Sequence, residues 1–579
     1  MSPMEDEETT SLQRPFLSGR WQDEERSSTV RYNLSRLLFV LFLERVAFYT
    51  ILYDITNFAS NVLNVSSSWA TAISDIFFGT AYFFPLLFGA ASDRKLGYYP
   101  TLVAAFTIAP IATGGICSLA YYAGQSESQF EAKFFYAYAA SLAVFALCAA
   151  AINANLIPYM LEQMGEEDRN RRKLVSYFWF IAYAAINVGS TTANFVSLLK
   201  RPYSRGYDIV WTYLVPPVAL FIALLTLIVW RREYRSHGVE PRADYWPNFC
   251  SILATGFGCY REKYTPPYYD ATDLPLKNAK EVEQDRRDEH RKRLGVLVPV
   301  LASLLVYYTV YSQMTSSFTD QAKSANVYSS NSLTEKGPYG SNITFNITFN
   351  CTNQNSSHYS YKFPIVLLNI PDSVGVLIAI PLIWFIFRPL YERIFVKQIT
   401  ILTKMRWGMV IAFLAIVCAL VVEIVRQNTD MYYAYTCPSN NSIEAIPYSA
   451  SLSVATLVPQ YLLIGFSETF TLIGAMEFVL SRAPREYRCT AYALNYAVSG
   501  LAFYLSAFLI YVFNKCDLYF QQSRRVANDF VLNRRLTWIY YLSIAIMMLI
   551  SIFVFSCIKM RHKDVLRKYR EQIQKTEQS

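Results

Sequence analysis

The stretch Leu41-Phe42-Leu43-Glu44-Arg45-Val46-Ala47-Phe48-Tyr49-Thr50 decides how this chain is read. It lies inside an apolar run from about Leu34 to Val62, long enough to cross a bilayer. A glutamate and an arginine stand side by side where hydrocarbon should surround them. Intramembrane charges are costly, so they face a water-filled cavity or a partner and mark a transport path. Helix neighbours at i and i+1 point about 100° apart, so this pair need not form a mutual salt bridge. Arg45 and Tyr49 share one face, Glu44 and Phe48 the adjacent one. The alternative reading is a structural ion pair inside a helix bundle.

Similar runs recur through the chain, of which 53% is hydrophobic and 16% aromatic. That pattern excludes a soluble globular class and indicates an all-α, polytopic membrane protein. Twelve transmembrane helices are expected, centred at about 45, 80, 110, 145, 185, 220, 305, 375, 415, 465, 500 and 547. The first thirty or so residues are polar and broken by Pro15, with no apolar signal-peptide core, so the first span is expected to act as its own insertion signal. The net charge of +9 calls for no nucleic acid, because the basic residues gather at helix ends.

Those basic clusters fix an orientation. Arg94-Lys95, Arg169 to Lys173, Arg286 to Arg293, Lys397 to Arg406, Arg482 to Arg488 and Lys559 to Lys563 suit cytosolic N and C termini. The segment Arg524 to Arg535 is the exception. Glycosylation sequons at Asn64, Asn342, Asn346, Asn350, Asn355 and Asn440 all fall on the opposite side, four of them in one polar loop at about 319–360. The expected organisation is a cytosolic tail (1–33), a six-helix bundle (34–231), a cytosolic linker (232–293), a second six-helix bundle (294–560) and a cytosolic tail (561–579). The linker holds Pro241, Pro247, Pro266, Pro267 and Pro275, and its charged end, Leu276 to Arg293, reads as a surface helix leading into span seven. Two such halves, related by an axis along the membrane normal, are the major-facilitator plan, with the substrate site at the midplane between them.

Most cysteines lie in apolar runs, where a small buried residue is the default. Cys351 and Cys437, with Cys516, fall in polar loops on the sequon side, and a Cys351–Cys437 disulfide is one pairing open to them. The histidines (His237, His290, His358, His562) lie outside the apolar runs. No metal-ligand spacing and no Gly-rich phosphate loop is present, so neither an enzyme nor a cofactor is expected. Any proton relay in the membrane has to use carboxylates.

Several motifs then carry a resemblance. Gly89-Ala-Ala-Ser-Asp93-Arg94 after span two resembles the major-facilitator Gly-x-x-x-Asp-Arg loop, whose acid and base hold two helix ends together in the closed state. Span five, Phe178-Trp-Phe-Ile-Ala-Tyr183-Ala-Ala-Ile-Asn187-Val-Gly189-Ser190, is similar to the signature of the proton-coupled oligopeptide transporter family. So is Val458-Pro-Gln-Tyr-Leu-Leu-Ile-Gly465-Phe-Ser-Glu468 with Glu477-Phe478 and Ala483-Pro484, which looks like the family's peptide/histidine branch. Tyr308-Thr-Val-Tyr-Ser-Gln313-Met in span seven agrees, and the resemblance covers about residues 34–560.

The resemblance implies a di- or tripeptide, or histidine, moved towards the cytosol by alternating access. The residue chemistry fits such a zwitterion. Its carboxylate needs a cation, its amine an anion, and its middle needs amide partners indifferent to side chains. Arg45 is expected to take the carboxylate and Glu468 the amine, so that one ligand bridges both halves and favours closure around itself. By resemblance Tyr49, Tyr82, Asn187 and Gln313 line the cavity. Asp372 stands where the family often carries an asparagine. For each single polar residue the alternative is a helix–helix hydrogen bond.

The sequence also departs from the family. In the span-one motif Glu-x-x-Glu-Arg the first glutamate falls on Leu41, and the span-four lysine falls on Asn153. Losing one of these charges would leave an uncompensated partner in low dielectric, whereas losing both preserves neutrality. The cluster is therefore read as dismantled as a unit, leaving Glu44 and Arg45. Asp75, seven residues before Tyr82, stands where mammalian peptide transporters place a functional histidine. With Glu44 it is expected to carry proton coupling; the alternative is a residue that caps or hydrates a helix end.

Two other functions fit the chain. One is a facilitator or exchanger of another small zwitterion or anion. The other is a transporter-like scaffold that recruits a cytosolic adaptor through the N-terminal tail or the 232–293 linker. Besides substrate, the expected partner is membrane lipid. Glu8-Thr-Thr-Ser-Leu12-Gln13 approaches an acidic dileucine sorting signal. It ends in Gln13 rather than Leu or Ile, so the resemblance to the peptide/histidine branch, with the sequon-rich loop, is what favours an endolysosomal membrane over the plasma membrane.

Overall fold

A backbone crossing hydrocarbon has to satisfy its own amides, and a helix does so within one segment. The computed structural model describes residues 7–61, 67–125, 132–164, 171–199, 207–234, 249–258, 279–326, 334–337, 363–395, 399–429, 431–436, 444–519, 524–526, 529–531 and 536–577. Every expected span centre lies in a helix. The first half comprises α1 (Glu7–Asn61), α2 (Ser67–Phe83), α3 (Pro85–Ala91), α4 (Tyr98–Gln125), α5 (Ala132–Gln163), α6 (Arg171–Val196) and α7 (Tyr207–Val229). A short α8 (Phe249–Gly258) follows in the linker. The second half comprises α9 (Ala279–Ala302), α10 (Leu305–Ser312), α11 (Ser317–Lys323), α12 (Ile370–Leu382), α13 (Arg388–Phe395), α14 (Ile401–Asn428), α15 (Val458–Arg482), α16 (Arg488–Lys515) and α17 (Trp538–Glu577).

Among the described residues nine helical segments are long and apolar enough to span, and a bent pair (Arg286–Ala302 with Leu305–Lys323) makes a tenth. The remaining two expected spans are α1 and α6, whose polar residues lower their hydropathy. α1 carries Arg36, Glu44, Arg45 and Asp54, and α6 is dense in Tyr, Asn, Ser and Thr. Polarity here marks the helices that face the interior of the bundle.

The breaks have local causes. α2 passes into α3 at Phe84, immediately before Pro85, whose ring nitrogen cannot donate to the ladder. The α9–α10 break bends the span by 48° at Ser303 and Leu304, four to five residues past Pro299. The carbonyl freed at Ser303 accepts a hydrogen bond from Ser551 Oγ of α17 at 2.7 Å, so the kink is satisfied inside protein.

The two halves meet along α2 and α16. A Cβ at Gly500 would fall 2.6 Å from Phe83 N and 2.9 Å from Gly79 O, so only hydrogen there lets the backbones approach this closely. At the basic-loop end, buried Asp93 accepts hydrogen bonds from Cys489 N (3.2 Å), Thr490 N (2.7 Å) and Thr490 Oγ1 (2.7 Å). The acid of the Gly-x-x-x-Asp-Arg loop thus caps the first turn of a helix in the other half, where its charge suits the helix dipole.

The opposite end carries a feature that apolar periodicity does not announce. β1 (Ala325–Asn326), β2 (Thr334–Gly337), β3 (Met431–Thr436) and β4 (Glu444–Ser453) form a sheet in the order β1-β4-β3-β2. β3 and β4 pair antiparallel from Met431↔Ser449 to Thr436↔Glu444. The all-α expectation therefore needs this addition outside the spans. All six sequons, together with Cys351 and Cys437, lie outside the described residues.

Candidate functional site

The interior polar residues converge on a cavity between the halves. Its non-atom space is about 520 Å3, part of it open solvent. Tyr49 and Tyr53 reach it from α1, Phe78 from α2, Tyr183, Asn187 and Ser190 from α6. Tyr311, Asp372, Glu468 and Phe503 close it from the second half.

Glu468 is buried in the middle of α15. Its Oε2 accepts a hydrogen bond from Tyr183 of the opposite half, while Oε1 has no hydrogen-bond partner among the described residues. Asp372, in the first turn of α12, lies within electrostatic reach of it. Gly465, one turn before Glu468, permits that approach: a Cβ there would fall 3.1 Å from Asp372 Oδ1 and closer still to its carbonyl oxygen. Asp372 Oδ1 is also buried without a partner. Two carboxylates therefore stand at one end of the cavity, and no cation is among its lining residues.

Arg45 lies behind that lining. Its guanidinium pairs with Glu44 through Nε and through Nη2, the latter at 2.7 Å from Oε1, and Nη2 also donates to Asn153 Oδ1 at 2.7 Å. Phe48 and Tyr49 lie beneath it, 5.1 and 5.9 Å from ring centre to guanidinium. Adjacency did not require this pair, and the ion-pair alternative is the arrangement found. The arginine side chain is long enough to fold back, and burial leaves the glutamate no better partner. Asn153, at the family's lysine position, supplies a neutral acceptor to the pair. The substituted Leu41 is buried in apolar packing.

Two expected lining residues, Tyr82 and Gln313, sit elsewhere, and so does Asn153, a candidate for substrate binding at the family's lysine position. Tyr82 stacks on Phe78 (4.3 Å) and meets Tyr496 edge-on (5.0 Å), below the floor that Phe78 and Phe503 make by stacking at 4.0 Å. Asn153 contacts Arg45 and Ala81 O rather than the cavity. Gln313 is fully buried within the second half, donating to Thr309 O and Ser506 Oγ and accepting from Ser317 Oγ and Tyr540 Oη. It bridges the α10–α11 break to α16 and α17, which is the helix–helix alternative. Tyr49 and Asn187 do line the cavity; Asn187 Nδ2 donates to Tyr183 O at 3.0 Å.

Asp75 is buried in the interior of α2, not at its end, and its Oδ2 lacks a partner. Asp320 of α11 and Tyr540 of α17 are its charged and polar neighbours across the interface. Tyr53, Tyr183, Ser190 and Tyr311 were absent from the expected site. The first was accessible to reasoning, since it continues the 45–49 stripe by one turn; its hydroxyl lies 2.6 Å from Ser190 Oγ. Phe503 carried no signal in the sequence, because nothing distinguishes a lining aromatic from a packed one. No cluster of metal-binding residues occurs among the described residues.

With this geometry in place, comparison with known proteins adds a frame. A family model described as PTR2, POT family, matches residues 103–333 and 343–526. Protein NRT1/PTR FAMILY 5.12 of Arabidopsis thaliana is 23% identical over 494 residues, covering 81% of each chain. NRT1/PTR FAMILY 8.1 of the same plant is 25% identical over 522 residues, covering 82% of this chain and 83% of its own. Among solved structures, an auto-inhibited POT family peptide transporter superposes with a TM-score of 0.60 at 14% identity, covering 92% of this chain and 96% of its own. The POT family transporter PepTSo does so with a TM-score of 0.59 at 15% identity, covering 92% and 98%.

Proposed function

The chain belongs to the POT family of membrane transporters, and from that premise we propose that it moves di- or tripeptides, or histidine, towards the cytosol by proton-linked alternating access. The observation that carries this reading is the cavity between the halves. A buried, half-satisfied Glu468 stands at one end of it, and an arginine lies one aromatic layer behind its wall. Glu468 receives the ligand's amine, which satisfies the free Oε1. Tyr49, Tyr183 and Asn187 offer hydroxyl and amide partners to the peptide bond without reading side chains.

Glu44 supplies the link to protons. While it is ionised it holds the guanidinium in a bidentate pair; once protonated it releases Arg45 to the ligand carboxylate past Tyr49. Asp75, facing Asp320 between the halves, provides a second protonation site whose charge opposes closure there. One protonated carboxylate and one bound zwitterion then favour the same rearrangement, which is what symport requires.

An anion facilitator is the second reading, and two lining carboxylates without a lining cation count against it. An endolysosomal membrane, with acid on the lumenal side, supplies the gradient this scheme uses. The test is uptake of labelled alanyl-alanine and histidine by proteoliposomes holding the purified full chain. Uptake should rise several-fold when the outside is acidified. Uptake of neither compound, with or without the gradient, would refute the carrier reading.

A further inference from the structure

The charge at the cavity's end exceeds what a single amine needs. Asp372 and Glu468 reach it from packed helices, and each keeps one buried oxygen without a hydrogen-bond partner among the described residues. Glu468 is only 2% exposed, so solvent does not satisfy it. Among the described residues no lysine, arginine or histidine lines the cavity. The one arginine near by is neutralised by Glu44 and faces Asn153. Two carboxylates in one desolvated chamber cannot both remain ionised and unmatched: either one takes up a proton or a cation compensates it. The walls favour the same compensation: Tyr49, Tyr53, Tyr311 and Phe503 present aromatic faces or edges to the chamber, and aromatic faces attract organic cations.

Resting on the reading above, we infer that this pocket selects cationic substrates, namely short peptides whose first residue is basic, with the α-amine on one carboxylate and the side-chain cation on the other. A neutral dipeptide leaves one carboxylate unmatched, and an acidic one adds a third negative charge. Specificity in this scheme comes from the penalty on the wrong ligand as much as from attraction to the right one. Asp372 is the specificity-determining residue, because Glu468 serves every peptide alike.

Equilibrium binding to the full chain in lipid nanodiscs separates the cases, with lysyl-alanine, alanyl-alanine and glutamyl-alanine measured at one pH. The wild type should bind lysyl-alanine about tenfold more tightly than alanyl-alanine, and glutamyl-alanine at least as much more weakly again. Asp372→Asn should bring the first ratio to within about twofold, and Asp372→Glu should restore it. Equal affinities for lysyl-alanine and alanyl-alanine in the wild type would overturn the inference while leaving a peptide carrier standing; a proton shared by the two carboxylates would give that result. Absence of binding by all three peptides would remove the carrier reading, and the inference with it.

Discussion

At Arg45 three hydrogen bonds run to two neighbours, Glu44 and Asn153, inside a helix pair that excludes water. The sequence showed that these charges were special, because they interrupt an apolar run, and comparison with a family motif located Asn153. It did not show the pairing, which depends on how far a long side chain can fold back. Nor did it show that Gln313 faces inward, since a polar residue on a crowded helix has two directions open to it. Replacing Glu44 by Gln removes one partner of a buried pair, so the purified protein should lose about 3–5 kcal/mol of stability, or else bind a counter-anion in compensation. Thermal unfolding with and without added carboxylate anions tests this. Replacing Asp75 by Asn should abolish the acid stimulation of peptide uptake, while exchange of peptide at equal pH continues. Unchanged acid stimulation in Asp75→Asn would transfer proton coupling entirely to Glu44.

At the scale of elements, helix positions follow from apolar periodicity, whereas the breaks and cross-links do not. α10 and α11 are joined by a turn whose polar groups reach α16 and α17 through Gln313, a tertiary contact with no local signature. The end of α14 behaves similarly. Fully buried Glu423 pairs with Arg426 at 2.7 Å and accepts from Gln427 and Gln321, and Gln321 accepts in turn from Gln460 of α15. Glu423→Ala removes the buried carboxylate that Arg426, Gln427 and Gln321 share, so the unfolding temperature should fall by the equivalent of about 3–5 kcal/mol. Asp93 acts between elements of different halves. Asp93→Ala should remove about 1–2 kcal/mol from the closed basic-loop end. A cysteine placed near Thr490 should then react faster with a membrane-impermeant thiol reagent applied from that side.

The whole molecule combines these local features into a state. The α2–α16 contact and the Asp93 cap close the basic-loop end, whereas the cavity lies between the halves with the stacked Phe78 and Phe503 in its lining. Sequence reasoning placed every expected span centre in a helix and picked out the two charges because lipid imposes a coarse, legible pattern. It could not reach the conformational state, since the same residues serve both ends of the transport cycle. The small sheet outside the spans escaped it too, because short polar strands carry no strong period.

The central claim is that Glu468 meets a peptide's amine and Arg45 its carboxylate. Binding of alanyl-alanine, its N-acetyl form and its C-terminal amide should therefore be compared in the wild type, Glu468→Gln and Arg45→Gln. The account predicts that the wild type rejects both blocked peptides, that Glu468→Gln no longer distinguishes the acetylated one, and that Arg45→Gln no longer distinguishes the amide. Blocked peptides that bind the wild type as tightly as free alanyl-alanine would contradict it.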